Sequence, residues 1–243
     1  MPYTALKDEA RQILAAWQEL DPKPEYDAPD DLAGVIDHTL LKPQATDDDV
    51  ARICDEALRH RFASVCVNPV HVHFCAHQLA ETEIPVASVI GFPLGATTTK
   101  AKTAETRDAL TNGAEEFDMV LNVGRLKSGE YAFIQDDIAA VVSAAGKEGL
   151  VKVILETCLL APSEIVLASL LTMEAGAHYV KTSTGFSSGG ATLEDVGLMR
   201  YTVGDALGVK ASGGIGDRDT ALAMCKAGAT RLGASAGVRI ISG

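Results

Sequence analysis

Three lysines and two aspartates stand in segments whose composition otherwise favours apolar β-strands. Lys181 lies in His178–Thr182, Lys210 in Val209–Ala211, Lys152 in Val151–Leu155, Asp118 in Phe117–Asn122 and Asp37 in Gly34–Leu40. Side chains alternate faces along a strand. Each of these charges is therefore set against apolar neighbours: Lys210 against Val209 and Ala211, Lys152 against Val151 and Val153, Asp118 against Phe117 and Met119, Asp37 against Ile36. Cys66, between Val65 and Val67, has the same placement. If the apolar set packs outward on helices, the polar set shares one interior. Unpaired charge there is costly, so these side chains either form a structural ion network or serve a reaction. Crowded lysines have a specific chemical use, because a neighbouring ammonium lowers the pKa of the first and leaves a neutral amine near neutral pH. That amine attacks carbonyls and forms a Schiff base, and an aspartate beside it moves protons to and from the adjacent carbon. The set points to carbonyl chemistry.

A second group of residues suits an anion. Ser212-Gly213-Gly214 follows the strand of Lys210, Gly233-Ala234-Ser235 closes the next strand, and Gly185 with Ser187-Ser188-Gly189-Gly190 follows the strand of Lys181. Glycine lets backbone N–H groups approach a phosphate closely, and the loops after late barrel strands are a common phosphate site. The expected phosphate contacts are Gly185, Gly213, Gly214, Gly233 and Ser235.

The elements that must carry these residues alternate along the chain. Strand candidates are Gly34–Leu40, Ala63–Val67, Val86–Ile90, Phe117–Asn122, Val151–Leu155, His178–Thr182, Val209–Ala211 and Arg231–Gly233. Between them, apolar residues at three- and four-residue spacing predict helices from Thr46 and over Pro69–Glu81, Thr98–Asn112, Tyr131–Glu148, Ser163–Glu174, Leu193–Ala206 and Asp217–Lys226. Asn112-Gly113, Ala175-Gly176 and Ala227-Gly228 supply helix ends. Eight strands alternating with helices describe an α/β fold, a (β/α)8 TIM barrel, over residues 34–243. Residues 1–33 form an N-terminal extension, in which Leu6, Ile13, Leu14, Trp17 and Leu20 share one face of an extra helix that ends at Asp21-Pro22-Lys23-Pro24.

Composition bounds the partners. The 243 residues carry 21 Lys and Arg against 33 Asp and Glu, a formal charge of −12. Such acidity excludes the basic stripe of a nucleic-acid surface, though not a pocket with a local field of opposite sign. The most apolar stretch, Ile165–Met173, is half the roughly 20 residues that span a bilayer. The N-terminus lacks a secretory h-region, and five scattered cysteines without a CxxC read as free thiols, so a cytoplasmic protein is expected. His71, His73 and His77 raise a metal alternative, but helix-surface histidines are commoner and no acidic third ligand stands at a recognised spacing.

These motifs resemble the 2-deoxyribose-5-phosphate aldolase family over residues 32–241. Tyr179-Val180-Lys181-Thr182-Ser183-Thr184-Gly185-Phe186 is similar to its Schiff-base segment, Val209-Lys210-Ala211-Ser212-Gly213-Gly214-Ile215 to its second-lysine segment, and Phe117-Asp118-Met119-Val120-Leu121-Asn122 to its proton-relay strand. The resemblance implies a (β/α)8 class I aldolase that reversibly cleaves 2-deoxyribose 5-phosphate to acetaldehyde and glyceraldehyde 3-phosphate. It further implies Lys181 as the covalent amine, Lys210 as its tuning neighbour and Asp118 as the proton carrier, with Asp37, Cys66, Lys152 and Thr182 as auxiliaries. No cofactor and no metal are implied, and the expected partners are small aldehydes and sugar phosphates, with a homodimer or homotetramer as the assembly. Gly216 stands where many members have Arg, and Phe186 where some have Lys, so phosphate binding should lean on backbone donors unless Arg218 reaches back. A transaldolase-like barrel enzyme and a non-catalytic binding protein are the alternatives.

Overall fold

The computed structural model describes residues 3–243; residues 1 and 2 of the N-terminal extension lie outside it. Eight parallel strands close into a barrel in sequential order, β8 pairing back onto β1. They are β1 (Ile36–Leu40), β2 (Ser64–Val67), β3 (Val86–Ile90), β4 (Glu116–Val120), β5 (Leu150–Ile154), β6 (Tyr179–Lys181), β7 (Gly208–Ser212) and β8 (Arg231–Ala234). The helices are α1 (Thr4–Glu19), α2 (Asp47–His60), α3 (Val72–Gln78), α4 (Thr99–Thr111), α5 (Val123–Lys127), α6 (Tyr131–Ala145), α7 (Pro162–Glu174), α8 (Leu193–Val203), α9 (Arg218–Lys226) and α10 (Gly237–Ser242). This is the (β/α)8 architecture, with the added N-terminal helix. No helix among the described residues is long and apolar enough to cross a membrane.

Local chemistry sets the helix ends. Thr46, Thr98, Thr192 and Asp217 each accept a backbone N–H at the start of α2, α4, α8 and α9, which satisfies donors that the helix itself leaves free. Gly113, Gly176 and Gly228 all have positive φ, as the expected helix ends require. Three expectations are corrected. The strand expected from Gly34 begins at Ile36, because Ala33–Val35 form a 3-10 turn. The helix expected over Pro69–Glu81 is a 3-10 turn, Pro69–His71, followed by α3 alone. The strand expected through Asn122 stops at Val120, because Asn122 turns its side chain to cap α5, accepting from the Arg125 N–H at 3.2 Å. The short helices α5 and α10 had no counterpart among the expected elements.

Strand alternation sorts the side chains as expected. Ile36, Val65, Val67, Phe117, Met119, Val151, Val153, Val180 and Val209 join the core between barrel and helices. His38, also facing out of β1, meets Glu56 of α2 at 2.6 Å. Inside the barrel the only apolar cluster among the described residues besides that core is small: Leu41, Cys66, Ala87 and Val89, with Phe92 against it. The same interior holds the fully buried charges Asp37, Asp118, Lys152 and Lys210. α1 lies across α7 and α8, burying Leu6, Ala10 and Trp17, and the Trp17 indole donates to Glu194 at 2.7 Å.

One buried ion pair anchors the strand that carries Asp118. Lys102 of α4 is fully buried and donates to Asp137 of α6 at 2.5 Å and to the Val120 carbonyl at 2.9 Å. Removing one partner strands the other charge, so Lys102→Met should lower unfolding free energy by about 3–5 kcal/mol, with a smaller loss in Lys102→Met/Asp137→Leu. Urea denaturation checks this; equal losses in the two variants would contradict it.

Candidate active site

The barrel interior gathers four cations, Lys152, Lys181, Lys210 and Arg231, around three anions, Asp37, Glu116 and Asp118. Asp118 is at the centre. Its Oδ2 accepts from Lys181 at 2.7 Å and from Lys210 at 2.6 Å, and its Oδ1 from Lys152 at 2.9 Å. Lys152 also donates to Glu116 at 2.5 Å and lies 3.5 Å from Asp37, while Lys210 is in ion-pair contact with Asp37. Parallel register explains the convergence, since Asp118 is level with Lys152 and Lys181 with Lys210.

The three lysines have unequal shares of negative charge. Lys152 has three carboxylate partners, Lys210 two, and Lys181 only the oxygen of Asp118 that it shares with Lys210. Burial favours the neutral amine in all three. For Lys152 and Lys210 the carboxylates overcome burial, and their pKa values are raised. For Lys181 burial wins, aided by Lys210 against the pull of Asp118, and its pKa is lowered. Crowding by Lys210 therefore contributes as expected, but desolvation is the larger cause. Asp118 is held well below the usual carboxylate range: burial opposes its charge, and Lys152, Lys181 and Lys210 together outweigh burial.

Above this network opens a cleft of about 300 Å³ at the C-terminal ends of the strands. Its walls include Lys181, Gly185, Gly213, Gly214, Gly233 and Ser235, so all five expected phosphate residues border the same space as the amine. Gly185, Gly213 and Gly214 have φ near +80°, a region that favours glycine. The loops after β6 and β7 also touch: a Cβ on Gly190 would lie 2.3 Å from the Gly213 carbonyl oxygen.

The other expected residues are placed differently. Lys210, Asp118, Lys152 and Asp37 are fully buried beneath the cleft and do not line it. Cys66 is an interior packing residue in the small apolar cluster, and burial raises its thiol pKa; it does not line the cleft as an auxiliary would. Thr182 follows Lys181 and so faces the opposite way. Its hydroxyl donates to the Ser212 carbonyl at 3.1 Å and accepts from the Ser212 N–H at 3.0 Å, fastening β6 to β7. Arg218 starts α9 away from the cleft lining; beside Gly216 stands Arg239 of α10, donating to the Gly216 carbonyl at 2.6 Å. His73 and His77 point to solvent, and no group of His, Cys, Asp or Glu among the described residues is arranged to hold a metal.

Four residues escaped the sequence reading. Lys42 and Thr184 line the cleft from loops, where alternation gives no signal. Glu116 and Arg231 belong to the network beneath; Glu116 was legible by parity, being two residues before Asp118.

Fold and site together define a (β/α)8 barrel protein with one poorly compensated amine at the C-terminal mouth, where barrel enzymes keep their chemistry. Residues 32–242 match the family model described as DeoC/LacD family aldolase, and the chain belongs to that family. It is 61% identical over 208 residues to a Brevibacillus brevis protein named deoxyribose-phosphate aldolase, covering 86% of this chain and 94% of that one. A Streptococcus gordonii protein of the same name is 58% identical, with the same coverage. The tetrameric deoxyribose phosphate aldolase structure from Aeropyrum pernix superimposes with a TM-score of 0.83 at 32% identity, over 96% of this chain and 97% of that one.

Lys210 stands beside Lys181 and shares Asp118 Oδ2 with it. Lys210→Leu removes a neighbouring cation and frees Asp118 Oδ2 for Lys181 alone, so the Lys181 pKa should rise. The rate of borohydride trapping with an aldehyde should then need higher pH, by on the order of one unit; an unchanged pH dependence would contradict this.

Proposed function

We propose that the protein is a class I deoxyribose-phosphate aldolase, reversibly cleaving 2-deoxyribose 5-phosphate to acetaldehyde and glyceraldehyde 3-phosphate through an imine on Lys181. One observation carries the reading: of the three barrel lysines, only Lys181 borders the cleft, and only Lys181 has a lowered pKa. The sequence relatives named for this activity support the choice of substrate.

In the synthetic direction the Lys181 amine adds to the acetaldehyde carbonyl, and uptake of a proton from solvent with loss of water leaves a protonated imine. Asp118, 2.7 Å from Nζ, faces that cation. Removal of a methyl proton gives the enamine, with Asp118 as the nearest carboxylate to carry it, directly or through water. The enamine carbon attacks the aldehyde carbon of glyceraldehyde 3-phosphate, and the new alkoxide takes up a proton. Water then releases the product and restores the amine. Lys210 stays charged and holds Asp118 ionised and in place.

The phosphate is assigned to the glycine loops, where Gly185, Gly213, Gly214, Gly233 and Ser235 border the cleft, with Lys42 as a nearby cation. Arg239 beside Gly216 adds positive charge behind the loop after β7. A homo-oligomer fits the tetrameric relative, and five unpaired cysteines, four of them buried, fit a reducing compartment such as the cytoplasm.

Borohydride reduction in the presence of acetaldehyde should place an adduct on Lys181 by peptide mapping, and Lys181→Leu should lose it; a normal adduct in that variant would refute the assignment. Gly190→Ala should spread the two glycine loops. It should raise KM for the phosphorylated substrate about tenfold, the equivalent of one lost hydrogen bond. KM for acetaldehyde should stay near the wild-type value. Equal effects on both would remove the phosphate from these loops.

A further inference from the structure

Beneath Asp118 the network continues to two residues that do not line the cleft. Arg231 of β8 donates through Nε to Asp37 at 2.7 Å, and through Nη2 to both Glu116 oxygens at 3.0 and 3.2 Å. Glu116 of β4 in turn holds Lys152 at 2.5 Å. The pair closes a ring: Arg231 to Asp37 to Lys210 to Asp118 to Lys152 to Glu116 and back to Arg231. Lys181 is outside that ring, joined to it only through Asp118.

We propose that Arg231 and Glu116 are positioning residues that set the charge carried by Lys181, through the balance of ionised groups inside the barrel. The ring holds three cations, Lys152, Lys210 and Arg231, against three anions, Asp37, Glu116 and Asp118. It is neutral and closed. A protonated Lys181 makes the barrel carry one uncompensated positive charge in a buried interior, which is costly. The neutral amine removes that charge, and Lys181 is the lysine with fewest carboxylates to resist its loss. The other strands add little: Cys66 comes from β2, β3 offers only Ala87 and Val89, and Tyr179 of β6 lies near Arg231. The lowered pKa of Lys181 and the raised values of Lys152, Lys210 and Arg231 agree with this balance.

The sign of each substitution follows. Glu116→Gln leaves three cations facing two anions, so the Lys181 ammonium is disfavoured further and the amine persists to lower pH. Arg231→Gln leaves two cations facing three anions, so Lys181 becomes the compensating cation and needs higher pH to react. A residue that only supported packing would damage rate or stability without opposite shifts.

The proposal rests on Lys181 being the imine-forming amine. The test is the pH dependence of two rates: borohydride trapping of Lys181 with acetaldehyde, and kcat/KM for 2-deoxyribose 5-phosphate, which reports groups of the free enzyme. Glu116→Gln should move the acid limb down and Arg231→Gln should move it up, each on the order of one pH unit. The double variant, neutral again, should return to the wild-type limb, and Arg231→Lys should keep it. Limbs that stay fixed, that move in the same direction, or that shift further in the double variant would overturn the proposal while leaving the imine reading intact. If a single variant does not fold, the double variant and Arg231→Lys decide: wild-type limbs support the balance, and displaced limbs refute it. Absence of a Lys181 adduct in the wild-type protein would overturn the imine reading itself, and the proposal with it.

Discussion

One carboxylate serves three ammonium groups, and the site depends on that shortage. Asp118 has two oxygens to share among Lys152, Lys181 and Lys210. Lys152 and Lys210 each hold further carboxylates, but Lys181 does not. In water this inequality would matter little. In the buried barrel interior it favours proton loss from Lys181, because a buried charge persists only where partners offset its lost hydration. The same arrangement keeps Asp118 ionised despite burial, since three cations converge on it. A lysine with a lowered pKa and an ionised aspartate thus arise from one cluster, set apart by their environments.

The rest of the fold holds this cluster in register. Parallel pairing brings Asp118 level with Lys152 and Lys181 level with Lys210, so displacing one strand by a residue would turn a charge into the apolar outer core. Fastenings near the strand ends guard against that. Thr182 ties β6 to β7, and Lys102 holds the Val120 carbonyl at the end of β4. The cleft at the glycine loops opens onto the amine. In a protein of net charge −12, the lysines Lys181 and Lys42 border this cleft, while the acids Asp47, Asp48 and Asp49 lie on the outer helix α2.

Much of this was legible because period-two alternation is a strong signal in short strands. It separated Lys210 from Val209 and Ala211, and Asp118 from Phe117 and Met119, and the structure divides them the same way. Where alternation ended, so did the reading. Thr182 was grouped with the site by its neighbours in the motif, yet its parity turns it away. Cys66 has interior parity but packs with Ala87 and Val89 and does not line the cleft. Glu116 stands one residue before the strand expected from Phe117, and Arg231 opens an expected strand of only three residues, too short for alternation to give its side chain a face. Lys42 and Thr184 stand on loops, whose side-chain directions depend on tertiary packing that no spacing rule describes.

The central claim is that Lys181 is the lysine of this cluster that releases its proton first. NMR titration of 15N-lysine side chains, assigned through single Lys→Arg variants, measures this directly in the protein without substrate. The account predicts that Lys181 Nζ titrates below the ordinary lysine value of about 10.4, while Lys152 and Lys210 remain ammonium beyond it. A Lys181 that keeps its proton to that value or above, or a Lys210 that loses its proton first, would contradict the account.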